Sequence, residues 1–342
     1  MVRDLVLSVF LHRVLIVNNP STDPYFNLAA EEYLLKNFDQ DIFMLWCNEN
    51  TIVVGKHQNA RAEINTAFVE QQGVKVARRL SGGGTVFHDA GNLNFTFIGN
   101  ARDNDEIKVD FAYFTRPVID VLATLGVQAT LSGRNDLLID GFKFSGNAEH
   151  IYRQKKRTLH HGTLLYNSRI ADLSAALKVD PLKYTDKAFK SFRSKVTNIS
   201  EHMQEPMDIE VFHAAVVNYM KELHADTSFY NFTENDIVAI NKLRDEKYAT
   251  WDWIFGYSPR YTFSNYIISD AHDLTLILSV DKGIILTCEV SGASPDIEQW
   301  KIFEGHITGQ LHSPDTIREA LKALSLYGVG SLTGEEVVMA WF

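Results

Sequence analysis

Cysteine is nearly absent: Cys47 and Cys288 are the two in 342 residues, far apart and without neighbouring Cys or His at zinc spacing. That excludes a disulfide framework and a zinc site of familiar pattern, and fits a reducing compartment such as the cytoplasm. Long apolar runs are also missing, since nothing approaches the roughly 18 residues that span a bilayer. The run from Leu5 to Leu11 follows Arg3 like a secretory leader. It is short, Asp4 interrupts its basic flank, and no small-residue cleavage pattern follows, so it reads as a first strand. Positive charge is scarce, with 33 Lys and Arg against 43 Asp and Glu and a formal net charge of −10. A broad nucleic-acid or membrane surface would need clustered excess Lys and Arg, so neither partner is expected and any basic site must be local. Internal repeats and low-complexity tracts are lacking too.

What is present describes an ordinary globular chain, 45% hydrophobic and 22% charged. At about 150 residues per domain the length suggests two domains. Trp251-Asp-Trp253 and Gly256-Tyr-Ser-Pro259 mark a change of pattern. We therefore expect one domain over 1–248 and a small α+β domain over 249–342, where Leu274–Val280 and Ile284–Val290 alternate around Asp281-Lys-Gly283.

Arg13–Asn18 reads as a strand, and Asp23-Pro24 as a helix start with Asp23 as N-cap. Ile42–Trp46 and Thr51–Gly55 look like paired strands across the turn Cys47–Asn50. A helix is expected over Ala62–Gln72, closed by Gly73, another from Ile107 to Leu125, and others over Ile209–Leu223 and Glu234–Tyr248.

Between these lies Arg78-Arg79-Leu80-Ser81-Gly82-Gly83-Gly84-Thr85. Three glycines let backbone N–H groups converge on an anion, and two guanidinium groups beside them suit a phosphate or carboxylate. A lone Gly-Gly-Gly is equally what a flexible surface turn looks like. Val86–His88 begins an extended run, Asp89-Ala-Gly-Asn92 turns it, and Leu93, Phe95 and Phe97 alternate with Asn94 and Thr96 as in a half-buried strand.

The second informative stretch is Ser132–Asn147. Asp140-Gly141 between apolar runs signals a two-residue hairpin. Simple register pairs Ile139 with Phe142, Leu138 with Lys143, Leu137 with Phe144 and Asp136 with Ser145. Alternation then puts Leu137, Ile139, Phe142 and Phe144 on a core face, and Asp136, Leu138, Lys143 and Ser145 on the other. A carboxylate, an ammonium and a hydroxyl thus share one surface, which could also be an exposed edge pair. Arg153–Arg157 reads as a solvated basic loop. His160-His161 opens a strand through Gly162 and Thr163, and Lys183–Ile199, rich in Lys, Arg and Ser, reads as a lid over an anion or as a polar loop.

In that order, Arg-Arg-Leu-Ser-Gly-Gly-Gly-Thr-Val-Phe-His-Asp-Ala-Gly-Asn, Gly-Arg-Asn-Asp, Lys-Phe-Ser-Gly and His-His-Gly-Thr-Leu-Leu make the sequence resemble the lipoate-protein ligase A family from about Val14 onward. The resemblance implies an α+β fold: a large mixed-sheet domain of the biotin-ligase and lipoate-ligase type, plus a small C-terminal domain. It implies that lipoate and ATP give lipoyl-AMP, and that the lipoyl group passes to a lysine of an acceptor domain, an E2 subunit of a 2-oxoacid dehydrogenase or the glycine-cleavage H protein. Lys143 then matches the catalytic lysine. Arg79, Ser81, Gly82, Gly83, Gly84, Thr85, His88 and Asn92 match the loop along the lipoyl and phosphate path. Asp136, beside Asn135, matches the acid that helps hold Mg²⁺. Ser145, Gly146, His161, Gly162 and Thr163 fall within the matched motifs, and Lys190 and Arg193 within the adenylate-binding segment Lys183–Asn198. Trp46 matches a tryptophan of the lipoate pocket. Phe192, Lys195, Ala60-Arg61 and Glu149-His150 depart from the family's usual residues. Two rivals stay open: an acyltransferase using a pre-activated lipoyl or octanoyl group without ATP, and a non-catalytic module that binds lipoate or its adenylate.

Overall fold

A computed structural model describes residues 14–101, 109–133, 135–177, 179–191, 194–224 and 226–342. The strand expected over Leu5–Leu11, the start of the helix expected from Ile107, and Arg193 lie outside these residues. In chain order the strands are β1 (Val14–Asn18), β2 (Asp41–Trp46), β3 (Thr51–Val54), β4 (Lys75–Arg78), β5 (Val86–His88), β6 (Asn92–Asn100), β7 (Thr130–Ser132) and β8 (Asp136–Ile139). There follow β9 (Phe142–Tyr152), β10 (Arg157–Leu165), β11 (Tyr184–Asp186), β12 (Thr227–Asn231), β13 (Tyr261–Ser269), β14 (His272–Asp281) and β15 (Ile284–Ala293).

Contacts divide the chain into two compact units. The first contains the described residues up to Gly55, with Ala77–Leu173 and Phe192–Ala249. Its main sheet runs β12-β1-β2-β6-β10-β9-β8-β7. It is mixed, β1 lying parallel to both neighbours while β2, β6, β10, β9 and β8 alternate in direction. The second unit comprises Lys56–Val76, Ser174–Ser191 and Thr250–Phe342. There the sheet β11-β13-β14-β15 shares a core with helices Ile297–Ile307 and Pro314–Ala323 through Phe263, Leu276, Trp300, Phe303 and Leu321. This is the α+β class expected. No helix among the described residues is long and apolar enough to cross a membrane.

The first helix, Pro24–Asn37, starts as its residues dictate: the Asp23 side chain accepts from the Tyr25 N–H, and Pro24 occupies the first turn. Two expectations change. Ile42–Trp46 and Thr51–Gly55 do not pair, because β2 lies between β1 and β6 whereas β3 pairs with β5 and β4. The buried Asn27 amide binds the Cys47 carbonyl and the Asn48 side chain, each at 2.9 Å, and Asn50 takes a positive φ of 29°, so the connection turns out of the sheet. The helix expected over Ala62–Gln72 is two, Ala60–Glu63 and Thr66–Gln72, because the Asn65 side chain accepts from the Phe68 N–H and starts a new helix. Gly73 closes the second at φ 59°, as its place after the apolar run predicts.

The main sheet has two unlike faces. Strand alternation puts Phe43, Leu45, Leu93, Phe95, Phe97, Leu137 and Phe144 on one, packed with Phe114, Val118 and Leu122 of helix Phe111–Thr124 and Phe212, Val216 and Met220 of helix Ile209–Leu223. Burial of this face supplies the unit's core. The other face is polar.

Candidate active site

The registers Trp46↔Asn94 and Met44↔Thr96, Asn94↔Thr163 and Thr96↔His161, His161↔Ala148, and Gly146↔Asp136 carry one face across five strands. That face presents Trp46, Asn92, Asn94, Thr96, His161, Thr163, Gly146 and Asp136 together. At about 4.8 Å between strands, β2 and β8 are roughly 19 Å apart across it. A long, narrow ligand could lie over such a span.

At the β8 end, Lys143 Nζ lies 2.8 Å from Asp136 Oδ1. The Asp140-Gly141 turn is present, with both residues at positive φ, 50° and 82°. Register holds for Ile139↔Phe142 and Leu138↔Lys143, then slips by one so that Leu137 faces Ser145 and Asp136 faces Gly146. This bulge keeps the Asp136 and Lys143 pairing but exchanges their neighbour. Ser145 moves to the core face, where its hydroxyl accepts from Asn147, and Gly146 takes its place. A Cβ on Gly146 would stand 3.0 Å from Lys143 Nζ and 3.1 Å from Cε, so the ammonium rests where only hydrogen leaves room. The Gly146 N–H is bound by Thr163 Oγ1 at 3.1 Å. Phe142, expected in the core, is exposed at the hairpin tip.

Alongside runs the segment after Arg193. Lys143 N–H donates to Lys195 O at 2.9 Å and Thr197 N–H to Lys143 O at 3.0 Å. Together they border an open cleft of about 310 Å³ lined by Asn135, Asp136, Leu138, Lys143, Ser194 and Lys195, with Ser132, Gly133 and Gly141 at its rim.

The glycine loop lies over the same face. Gly83 alone of the three takes a positive φ, 91°, and a Cβ there would be 3.1 Å from Arg79 and 3.9 Å from the Ala148 side chain. The N–H groups of Gly82, Gly83 and Gly84 have no acceptor among the described residues and are partly exposed. The arginines behave differently from expectation. Arg79 is buried, and its guanidinium donates to Val53 O at 3.1 Å, Gly82 O and Gly84 O at 2.7 Å each, and Ser81 Oγ at 3.1 Å. Arg78, also buried, donates to Gly55 O. With its carbonyls drawn inward to the Arg79 guanidinium, the loop keeps its amides for other acceptors. Burial lowers Arg79 to about 10, opposed by Glu31.

Glu31 stands outside every motif of the sequence. It lies three after Leu28 and four before Leu35 on the buried stripe of the first helix, and an acid on an apolar stripe was the available signal. Its carboxylate, 2% exposed, accepts from Thr96 Oγ1 at 2.6 Å and from His161 Nδ1 at 2.9 Å. His161 Nε2 lies 2.6 Å from Ser81 Oγ, and Trp46 Nε1 donates to Thr96 Oγ1 at 2.8 Å. One buried chain thus ties Trp46 to the glycine loop through Thr96, Glu31, His161 and Ser81. The Trp46 ring meets His88 edge to face at 6.2 Å. His88 Nδ1 accepts from Asn48 at 3.0 Å, so Nε2 carries the proton, and this N–H is buried without a partner among the described residues. Burial, then Arg79 and His161, depress His88 to about 3. Asn92 Oδ1 is likewise buried and unpartnered there.

Other expected residues are placed differently. Gly162 turns to the core side, where a Cβ would strike Asn147 Oδ1 at 2.2 Å and the Phe95 ring. Asn135 spends its amide on Asn147 O. Thr85 is buried at the end of the loop, just before β5. Lys190 is exposed and belongs to the second unit. Burial raises the Cys47 thiol to about 11, with Asp89 and Glu49 adding to the shift, and burial raises Cys288 also, so neither is an activated nucleophile.

The model of the lipoyl protein ligase A/B catalytic domain matches residues 23–221. The chain is 38% identical to lipoate-protein ligase LplJ of Bacillus subtilis over 94% of its own length and 97% of that protein's. It is 38% identical to lipoate-protein ligase 1 of Staphylococcus aureus over 91% and 94%. The crystal structure of P. falciparum LipL1 in complex with lipoate superposes with a TM-score of 0.60 at 26% identity, covering 91% of this chain and 94% of that one. A family match across more than half of the chain, on a polar sheet face that gathers its motifs, means that this chain belongs to the lipoyl protein ligase A/B catalytic-domain family.

Proposed function

We propose that the chain is an ATP-dependent lipoate-protein ligase, which joins lipoate to AMP and then passes the lipoyl group to a lysine of an acceptor domain. The observation that carries this reading is the Lys143 ammonium, held 2.8 Å from Asp136 in an open cleft on the polar face. In the first step a lipoate carboxylate oxygen attacks the α-phosphorus and the bond to pyrophosphate breaks. In the second a neutral acceptor amine attacks the lipoyl carbonyl, the bond to AMP breaks, and the amine proton leaves to solvent. Both steps build negative charge on oxygen, and a fixed ammonium and unpartnered backbone N–H groups over one sheet face would stabilise it. Lys143 is that ammonium, and Gly82–Gly84 are those amides. Holding the reactants in line accounts for much of the remaining acceleration.

Mg²⁺ fits this donor set only in company. Asp136 is a single carboxylate facing the cleft, and no group of three or more metal-ligating side chains occurs among the described residues. Such a site suits an ion shared with phosphate oxygens, whose repulsion it would offset, with Asp136 as the protein's share. Trp46, His88 and Asn92 at the far end would receive the lipoyl ring end. The acceptors are lipoyl domains of E2 subunits or the H protein, and the compartment is the cytoplasm.

The raised Cys47 and Cys288 thiols disfavour a cysteine-based acyltransferase. Incubation with ATP, Mg²⁺, lipoate and an apo lipoyl domain should add one lipoyl mass to the acceptor. Lipoate-dependent exchange of pyrophosphate into ATP should accompany it. An adduct formed only from a pre-activated acyl donor would overturn the reading in favour of a transferase.

A further inference from the structure

Arg61, in the short helix Ala60–Glu63 of the second unit, is only 6% exposed, and the proposed reaction makes no use of it. Its guanidinium carbon sits over the Phe255 ring at 4.2 Å and over the Phe342 ring at 4.9 Å. Among the described residues none of its three nitrogens has a hydrogen-bond acceptor, and Nε is fully enclosed. The buried Arg79 and Arg157 behave otherwise, each meeting four acceptors. No carboxylate among the described residues pairs with Arg61 either: Glu70, the acid whose field reaches it, lies 3.6 Å from Arg318. The two nearby hydroxyls are committed, Tyr184 to the Phe342 carbonyl at 3.3 Å and Tyr261 to His312 Nδ1 at 2.7 Å. His312 turns its other ring nitrogen to the Trp341 carbonyl at 2.7 Å. All the neighbours of Arg61 named here belong to the same unit.

We propose that Arg61 is the anion-binding residue of a site in the second unit, its guanidinium taking a small oxyanion, a phosphate or a carboxylate. A buried charge is costly unless it is paired and hydrogen-bonded, and the chain supplies Arg61 with neither partner. The two aromatic rings attract the cation through their faces but leave its N–H donors unused. Those donors form a planar fork, and two oxygens of one phosphate or carboxylate match it. With so little of the residue exposed, the site admits one small group and not an extended surface. Tyr184, Tyr261 and His312, their polar atoms bound elsewhere, form the wall around it and not further ligands.

The test titrates the full chain with inorganic phosphate, acetate and chloride at constant ionic strength and reads the melting temperature. Phosphate or acetate should raise it saturably, by roughly 2–5 °C, where chloride does not. A response to phosphate alone assigns a phosphate site, a response to acetate alone a carboxylate site, and a response to both the shared oxyanion chemistry. Arg61→Met, which keeps an apolar stem among the rings, should abolish the response, and Arg61→Lys, which keeps charge without the fork, should weaken the apparent affinity roughly tenfold. Lys143→Ala should retain the response, which separates this site from the cleft of the first unit. If Arg61→Met fails to fold, the wild-type protein labelled with ¹⁵N-arginine decides: the Nε–H signal missing from Arg61→Lys should shift saturably with the same anion. A response to chloride as large as to the oxyanions, an equal response in wild type and Arg61→Met, or an Arg61 Nε–H signal that no anion moves would overturn the proposal.

Discussion

Lys143 and Asp136 face each other at 2.8 Å across a hairpin whose register slips by one residue between them. Both side chains are about one quarter exposed, 24% and 30%, so the pair contributes little to stability. Its consequence is geometric. We expect Lys143→Ala to reduce both pyrophosphate exchange and lipoyl transfer at least about 100-fold, the scale of losing one preorganised charge partner. Asp136→Asn, which keeps shape but loses charge, should cost about tenfold or more. Circular dichroism should remain unchanged in both, and wild-type rates in Lys143→Ala would contradict the assignment.

Gly146 is a subtler probe of the same ammonium. An added methyl would press on Lys143 Nζ from 3.0 Å, with the flexible lysine end the group that yields. Gly146→Ala should therefore displace the charge without disturbing the sheet. A loss of roughly 10- to 100-fold in kcat/KM is expected, because a shift of about 1 Å in a catalytic group has effects of that size. The melting temperature should change little. Loss of folding together with activity would instead mark Gly146 as a packing residue.

Glu31 should behave chiefly as a buried hydrogen-bond acceptor. It is buried against His161 and Thr96, and close enough to support the buried Arg79 charge. Glu31→Ala leaves two donors without an acceptor and the guanidinium without compensation, which should cost about 2–5 kcal/mol in urea unfolding. Glu31→Gln retains an acceptor oxygen and should cost clearly less. Equal losses in the two variants would show that the charge, and not the hydrogen bonding, is what Glu31 supplies.

The buried His88 sets a pH dependence of stability. Its folded pKa is about 3, against 6.5 for the free side chain, with burial as the first cause. The unfolded chain therefore binds a proton below about pH 6.5 that the folded chain refuses, so the stabilisation is full above that pH and is lost as pH falls from 6.5 toward 3. The slope from this one residue approaches ~1.4 kcal/mol per pH unit below 6. His88→Asn should flatten the dependence of unfolding free energy on pH by about one proton between pH 6 and 4. An unaltered slope would show that His88 gains a partner or solvent in solution. His312, stacked on Phe342 in the second unit and bonded to Tyr261 and Trp341, is held near 3 by the same cause and should add a separate proton.

Much of the local architecture was legible because its causes are local. Asp23-Pro24 starts a helix, Gly73 ends one, and Asp140-Gly141 turns a hairpin, each through the conformational preference of the residues themselves. The apolar alternation of Leu93, Phe95 and Phe97 likewise announced a strand with one core face. Reading fell short where the partner is distant in sequence. β2 and β3 are adjacent in the chain yet belong to different sheets, since what β2 pairs with is β1 and β6.

The sequence by itself determined the chemistry available: a glycine run after two arginines, a Lys and an Asp across a tight hairpin, and a His-His-Gly-Thr strand. Those groups are a matter of composition and short spacing. Tertiary structure alone decided their duties. The Arg79 guanidinium turns inward to the loop's carbonyls because burial obliges each of its donors to find an acceptor, and the nearest are Val53, Gly82 and Gly84. The bulge at Phe144 sends Ser145 to the core face and sets Gly146 under Lys143, in step with the pairing of Asn147 to Gly162 and Ala148 to His161 on the strand's other side, which spacing within the hairpin does not reveal. Glu31 joins the site from a helix some 130 residues from His161, a meeting that only long-range strand order can arrange.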